Sequence, residues 1–64
     1  MVQGYYAAVV KELRELGYRF HSSAKGSHEK WIGPDGRMTI VPRSLDKRHT
    51  ANGILKEAGR QKQL

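Results

Sequence analysis

An α+β fold, with one helix, three antiparallel strands and a second helix, is what the 64 residues predict. Three observations predict it. An apolar stripe at helical spacing opens the chain, a period-two alternation occupies its middle, and a second short helical stripe follows. Glycine and proline signals mark the borders between these stretches. Placing both helices on one face of a three-stranded antiparallel sheet buries both stripes and leaves the other sheet face open.

Each element has its own signature. Tyr6, Val9, Val10, Leu13 and Leu16 recur at helical spacing, with Lys11, Glu12, Arg14 and Glu15 on the other side, which predicts a helix from about Gln3 to Leu16. Gly4 blurs its start, and Gly17 stands where a left-handed C-terminal cap belongs. Tyr18 to Ser22 alternates as a half-buried strand with Tyr18 and Phe20 on one side, and Ser23 to Ser27 is the turn that leaves it. The next strand opens at His28 and ends at Gly33-Pro34-Asp35-Gly36, a tight-turn sequence. A third strand runs from Arg37 to Val41 and stops at Pro42; Met38 and Ile40 compete with Val41 for its inward face. Thr50 is the expected N-cap of a second helix, whose buried face is Ala51, Ile54, Leu55 and Ala58, and Gly59 ends it. The five residues 60–64 read as a frayed tail. The whole of 1–64 is expected to form one domain.

A chain this short buries only about 60% of its unfolded surface, so its core is thin. It has no cysteine, which excludes disulfides and thiolate metal sites. Met1-Val2-Gln3-Gly4-Tyr5 has neither the charged nor the apolar region of a signal peptide, and no stretch approaches a membrane span. The expectation is a cytoplasmic protein with no membrane partner. Twelve Lys and Arg against six Asp and Glu give a net charge of +6. That excess in so small a domain points to a polyanion such as nucleic acid, or to an acidic protein partner.

The stretch Gly26-Ser27-His28-Glu29-Lys30-Trp31 concentrates the chemistry. Histidine exchanges protons near neutral pH, and a glycine beside it admits a ligand's backbone. Alternation sets His28, Lys30 and Ile32 on one side and Glu29 and Trp31 on the other. With Trp31 in the core, His28 and Lys30 face water together, a proton-transfer group beside a fixed positive charge.

Taken with the first helix, the Gly26-Ser27-His28 turn, Pro34-Asp35-Gly36 before a strand ending in Val41-Pro42, and Thr50 followed by Ile54-Leu55-Lys56-Glu57-Ala58-Gly59, this stretch resembles the HicA toxin family. The resemblance covers about Tyr6 to Gly59. It implies a double-stranded-RNA-binding-domain-like fold, cleavage of mRNA, a HicB-like antitoxin that covers the active site, and His28 as the catalytic histidine. Many relatives have a second histidine where this chain has Glu29. A carboxylate there is expected to lower the local positive potential, weakening RNA binding or altering the pKa of His28. His49 also stands where many relatives have a small or polar residue, in a run, Arg48 to Asn52, that looks like one branch of the family.

The combined expectation is a toxin of a toxin–antitoxin pair: an endoribonuclease without metal or cofactor, acting by attack of a ribose 2′-OH on the adjacent phosphate. His28 moves the proton, and Lys25, Gly26, Ser27, Lys30, Arg37, Arg43, Lys47, Arg48 and His49 form the RNA-binding set. Arg48 and His49 stand where the second helix's free N–H groups already favour anions. A hairpin closing around Ala24-Lys25 would set His21 nearly opposite His28, making His21 a candidate second acid or base. As a metal site the pair lacks a third ligand. The rival readings are a non-catalytic RNA-binding module of the same fold, and a repurposed relative that only binds an antitoxin-like protein.

Overall fold

The computed structural model describes residues 4–60 and 64. Its elements run α1 (Tyr6–Glu15), β1 (Arg19–Ser23), β2 (His28–Ile32), β3 (Met38–Pro42) and α2 (Arg48–Glu57). This is the expected α-β-β-β-α order, with a three-stranded antiparallel sheet in the order β1-β2-β3.

Both helices end by the same device. Gly17 takes φ 94° and Gly59 φ 106°. Behind α1, the N–H groups of Gly17 and Tyr18 donate to the carbonyls of Arg14 (3.0 Å) and Leu13 (2.9 Å). Behind α2, Gly59 and Arg60 repeat the pattern onto Lys56 (3.1 Å) and Leu55 (2.8 Å). These paired bonds satisfy carbonyls that a helix end otherwise leaves open.

The starts of the elements differ from expectation. α1 begins at Tyr6, and Gln3 lies outside the described residues. Before it, Tyr5 N–H donates to the Leu45 carbonyl at 2.7 Å, so the chain enters the helix from a loop contact. α2 begins at Arg48, with extended Lys47 as its N-cap and no side-chain cap bond. Thr50 is therefore the third helical residue and not the cap. The first turn closes when Ala51 N–H bonds the Lys47 carbonyl, and burial of Ala51 and Leu55 sets the helix phase.

One cluster forms the core: Val9, Val10, Leu13, Tyr18, Trp31, Val41, Leu45, Ala51 and Leu55. It joins the buried stripes of both helices to the inward side chains of β2 and β3, so the two helices cover one face of the sheet. The ambiguous face of β3 is decided here. Thr39 and Val41 point inward, while Met38 and Ile40 are 44% and 41% exposed on the open side. Phe20, at 48% exposure, meets Trp31 edge-on at 6.0 Å instead of sinking into the core. Of the tail expected to fray, Arg60 is ion-paired to Glu12 and Leu64 N–H donates to Asn52 Oδ1 at 2.7 Å; residues 61–63 lie outside the described residues.

Candidate functional site

The central strand β2 carries the candidate site on its outward face. His28, its first residue, is exposed; Lys30 and Ile32 follow on the same side, half-buried by their neighbours. The register places Pro42 opposite His28, Ile40 opposite Lys30 and Met38 opposite Ile32. The open face is thus cationic at the His28 end and apolar toward Ile32.

The turn before His28 is held from both sides. Ala24 N–H donates to the His28 carbonyl at 2.8 Å, and Arg43 N–H donates to the Ser27 carbonyl, also at 2.8 Å. Gly26 has φ 68°, and a Cβ placed on it would meet nothing within 4 Å. Glycine is required there by conformation, and the space above it is open to a ligand. Lys25, Gly26, Ser27 and His28 are all exposed. The bond between Arg43 and Ser27 brings the β3–α2 connection to this same end of the sheet. Lys47, Arg48 and His49 follow at the exposed start of α2. Of the expected RNA-binding set, Lys25 and Lys30 therefore lie near His28, while Arg43 joins this end of the sheet through its backbone and turns its side chain to Glu29 on the helix-covered face, with the α2 start next in the chain.

Arg37 stands apart. It precedes Met38 at the opposite end of β3, about 17 Å along the strand from Pro42 at the usual rise per residue. Its guanidinium is engaged by the Asp35 carboxylate at 3.6 Å and donates to the Glu57 carbonyl at 3.3 Å. It also lines, with Tyr18, Met38, Thr39 and Glu57, a shallow hollow remote from His28.

His21 does not face His28. The ladder pairs Ser22 with Lys30 and Ser23 with Glu29, and slips by one residue between Phe20 and Ser22. His21 is the extra residue of that β-bulge, which shifts the alternation beyond it. Its Nδ1 lies 3.0 Å from Ser22 Oγ.

Directly beneath the site lies Glu29, 9% exposed, on the helix-covered face with Trp31. Its Oε1 accepts hydrogen bonds from the Tyr6 hydroxyl (2.6 Å) and Trp31 Nε1 (3.1 Å). Its Oε2 lies 3.7 Å from Arg43 Nε. The carboxylate ties α1, β2 and the β3–α2 connection together. Burial, followed by the bond to Glu29 and the charge of that carboxylate, raises the Tyr6 phenol above its ordinary value of 10.0. Period-two alternation places Glu29 with Trp31, but no signal in the sequence names Tyr6, 23 residues away, as its partner.

The comparisons with known proteins return one finding. A family model described as HicA toxin of bacterial toxin-antitoxin matches residues 6–60. No curated protein and no solved structure matches the chain.

Proposed function

The chain belongs to the HicA toxin family, a family of toxins that act with a cognate antitoxin, and on that premise we propose that it is an endoribonuclease that cleaves mRNA with His28 and needs no metal. The observation that carries this reading is His28 itself. It is the first residue of the central strand, exposed beside Lys30 and next to the open space over Gly26, with its side chain directed away from the core that Trp31 fills.

In the proposed reaction the neutral imidazole of His28 takes the proton of a ribose 2′-OH. The freed oxygen attacks the adjacent phosphorus, the bond to the 5′-oxygen of the next nucleotide breaks, and that oxygen leaves with a proton. The products are a 2′,3′-cyclic phosphate and a 5′-hydroxyl. A single histidine serves both transfers if its imidazolium returns the proton to the leaving oxygen. Lys30 and the cations around the Gly26-Ser27 turn offset the charge that grows on the phosphate. His21 is a weaker second acid or base, because the hairpin register brings Ala24, three residues further on, next to His28.

The same face is the proposed docking site of a HicB-like antitoxin. An acidic partner there would satisfy a chain of net charge +6 and exclude RNA with the same contacts. Among the described residues no helix is long and apolar enough to cross a membrane.

The test is incubation of the pure protein with mixed RNA in EDTA, alongside His28→Ala. Cleavage by the native chain and none by a folded His28→Ala variant is the expected result. Equal cleavage by both overturns the assignment of His28, and RNA binding without cleavage by the native chain favours the non-catalytic binding module.

A further inference from the structure

Glu29 departs from the second histidine of many relatives, and simple electrostatics makes it a handicap: a negative charge next to a site for a polyanion. Its surroundings give it a different part. A carboxylate that only diluted the local potential would stand in solvent on the open face. This one is buried, held through Oε1 by two donors from α1 and β2, and it turns its second oxygen to Arg43. Arg43 is anchored at its backbone to Ser27, the residue before His28, yet its side chain is 68% exposed. Its Nε lies 3.7 Å from Glu29 Oε2, and a guanidinium carries further N–H donors suited to a bidentate grip on phosphate oxygens.

We propose that Glu29 is a positioning residue: its buried carboxylate, on the helix-covered face, holds the Arg43 guanidinium at the end of the sheet where β2 begins, preformed to bind a phosphate of the RNA strand flanking the one being cleaved. This rests on the RNA-cleaving reading of the same face. An arginine free in solvent loses side-chain entropy when it grips a ligand. One already restrained by a buried carboxylate and a backbone anchor loses less, so the ion pair strengthens binding although it lowers the net charge. The two accounts predict opposite signs for the same substitution.

Glu29→Gln keeps an acceptor for Tyr6 and Trp31 and releases Arg43, raising the formal charge by one from +6. The probe is a short fluorescent single-stranded RNA with every 2′-hydroxyl methylated, which keeps its phosphates but cannot be cleaved. Its affinity is measured across a salt series for the native chain, Glu29→Gln, Arg43→Gln and the double variant, below their melting temperatures. Glu29→Gln should bind about threefold to tenfold more weakly despite its extra positive charge. Arg43→Gln should reduce the salt slope by about 0.7, the share of one single-strand phosphate. In the Arg43→Gln background, Glu29→Gln should have no further effect, because the group it positions is gone.

Tighter or unchanged binding by Glu29→Gln overturns the proposal. So does an equal loss in both backgrounds, which is what a purely structural role would produce. If the cycle behaves as expected while native RNA remains uncut in the EDTA assay, the cleavage reading fails and the positioning of Arg43 stands. If the native chain does not bind the probe, the positioning of Arg43 fails, and the EDTA assay alone decides the cleavage reading.

Discussion

Trp31→Phe isolates the tie between the core and the buried carboxylate. Trp31 is 1% exposed, and its indole N–H donates to Glu29 Oε1 at 3.1 Å. Phenylalanine keeps an aromatic face for Arg14, whose guanidinium carbon lies 5.5 Å from the Trp31 ring, and an edge partner for Phe20. It removes the hydrogen bond to a charged acceptor, which is worth about 1.5–3 kcal/mol. The smaller ring also leaves unfilled volume, adding on the order of 1 kcal/mol. The expected loss is about 2–4 kcal/mol, a large share of the roughly 3–10 kcal/mol that a domain of this length commands. For a domain of this size each kcal/mol moves the midpoint by about 4–8 °C, so Tm should fall by at least about 8 °C. Melting followed by far-UV circular dichroism reads this directly, since Trp31 is the single tryptophan and its own fluorescence is lost with it. A fall of less than about 4 °C would refute the claim that the indole–Glu29 bond is a main tie of the fold. Because His28 points to the other side of the sheet, the variant should still cleave RNA at temperatures where it is folded.

His28→Ala removes an exposed side chain, so its stability should lie within about 0.5 kcal/mol of the native chain while RNA cleavage falls by about a hundredfold or more; a large drop in Tm would place His28 in the structure instead. Gly33→Ala should cost about 1–3 kcal/mol, because the added methyl would lie 2.8 Å from Cζ of the buried Tyr18 ring; an unchanged urea midpoint would contradict that packing. The Tyr6 phenol is raised in the fold, so its contribution is complete below the ordinary value of 10.0 and is lost as pH climbs through the higher folded value. Urea midpoints in alkaline buffers should therefore fall less steeply for Tyr6→Phe than for the native chain, and equal slopes would count against the Tyr6–Glu29 bond. Binding to native single-stranded RNA should weaken with salt at a log–log slope of roughly −2 to −4, corresponding to about three to six phosphates, and a slope near zero would exclude a phosphate-led contact.

Local chemistry by itself determined a good deal of this protein. Gly17 and Gly59 mark both helix ends because only glycine enters the left-handed region cheaply, and both take positive φ. Gly33-Pro34-Asp35-Gly36 closes the β2–β3 turn, with Gly36 N–H bonded to the Gly33 carbonyl at 3.1 Å. The opposition of His28 to Trp31 follows from the two-residue period of a strand, as soon as tryptophan is put inside. Period alone carries no sign where both sets are apolar. In β3 either Met38 with Ile40 or Thr39 with Val41 satisfies the alternation, and the packing of α1 and α2 against Val41 makes the choice. The bulge at His21 was equally hidden, since one slipped rung depends on how two strands meet and not on either strand's composition. Glu29 is the sharpest instance. In the sequence it is a carboxylate beside a catalytic candidate, whereas in the fold Tyr6, Trp31 and Arg43 converge on it from three separate elements. The environment of a buried charge is set by partners far along the chain, so only the tertiary structure decides whether Glu29 weakens the site or builds it.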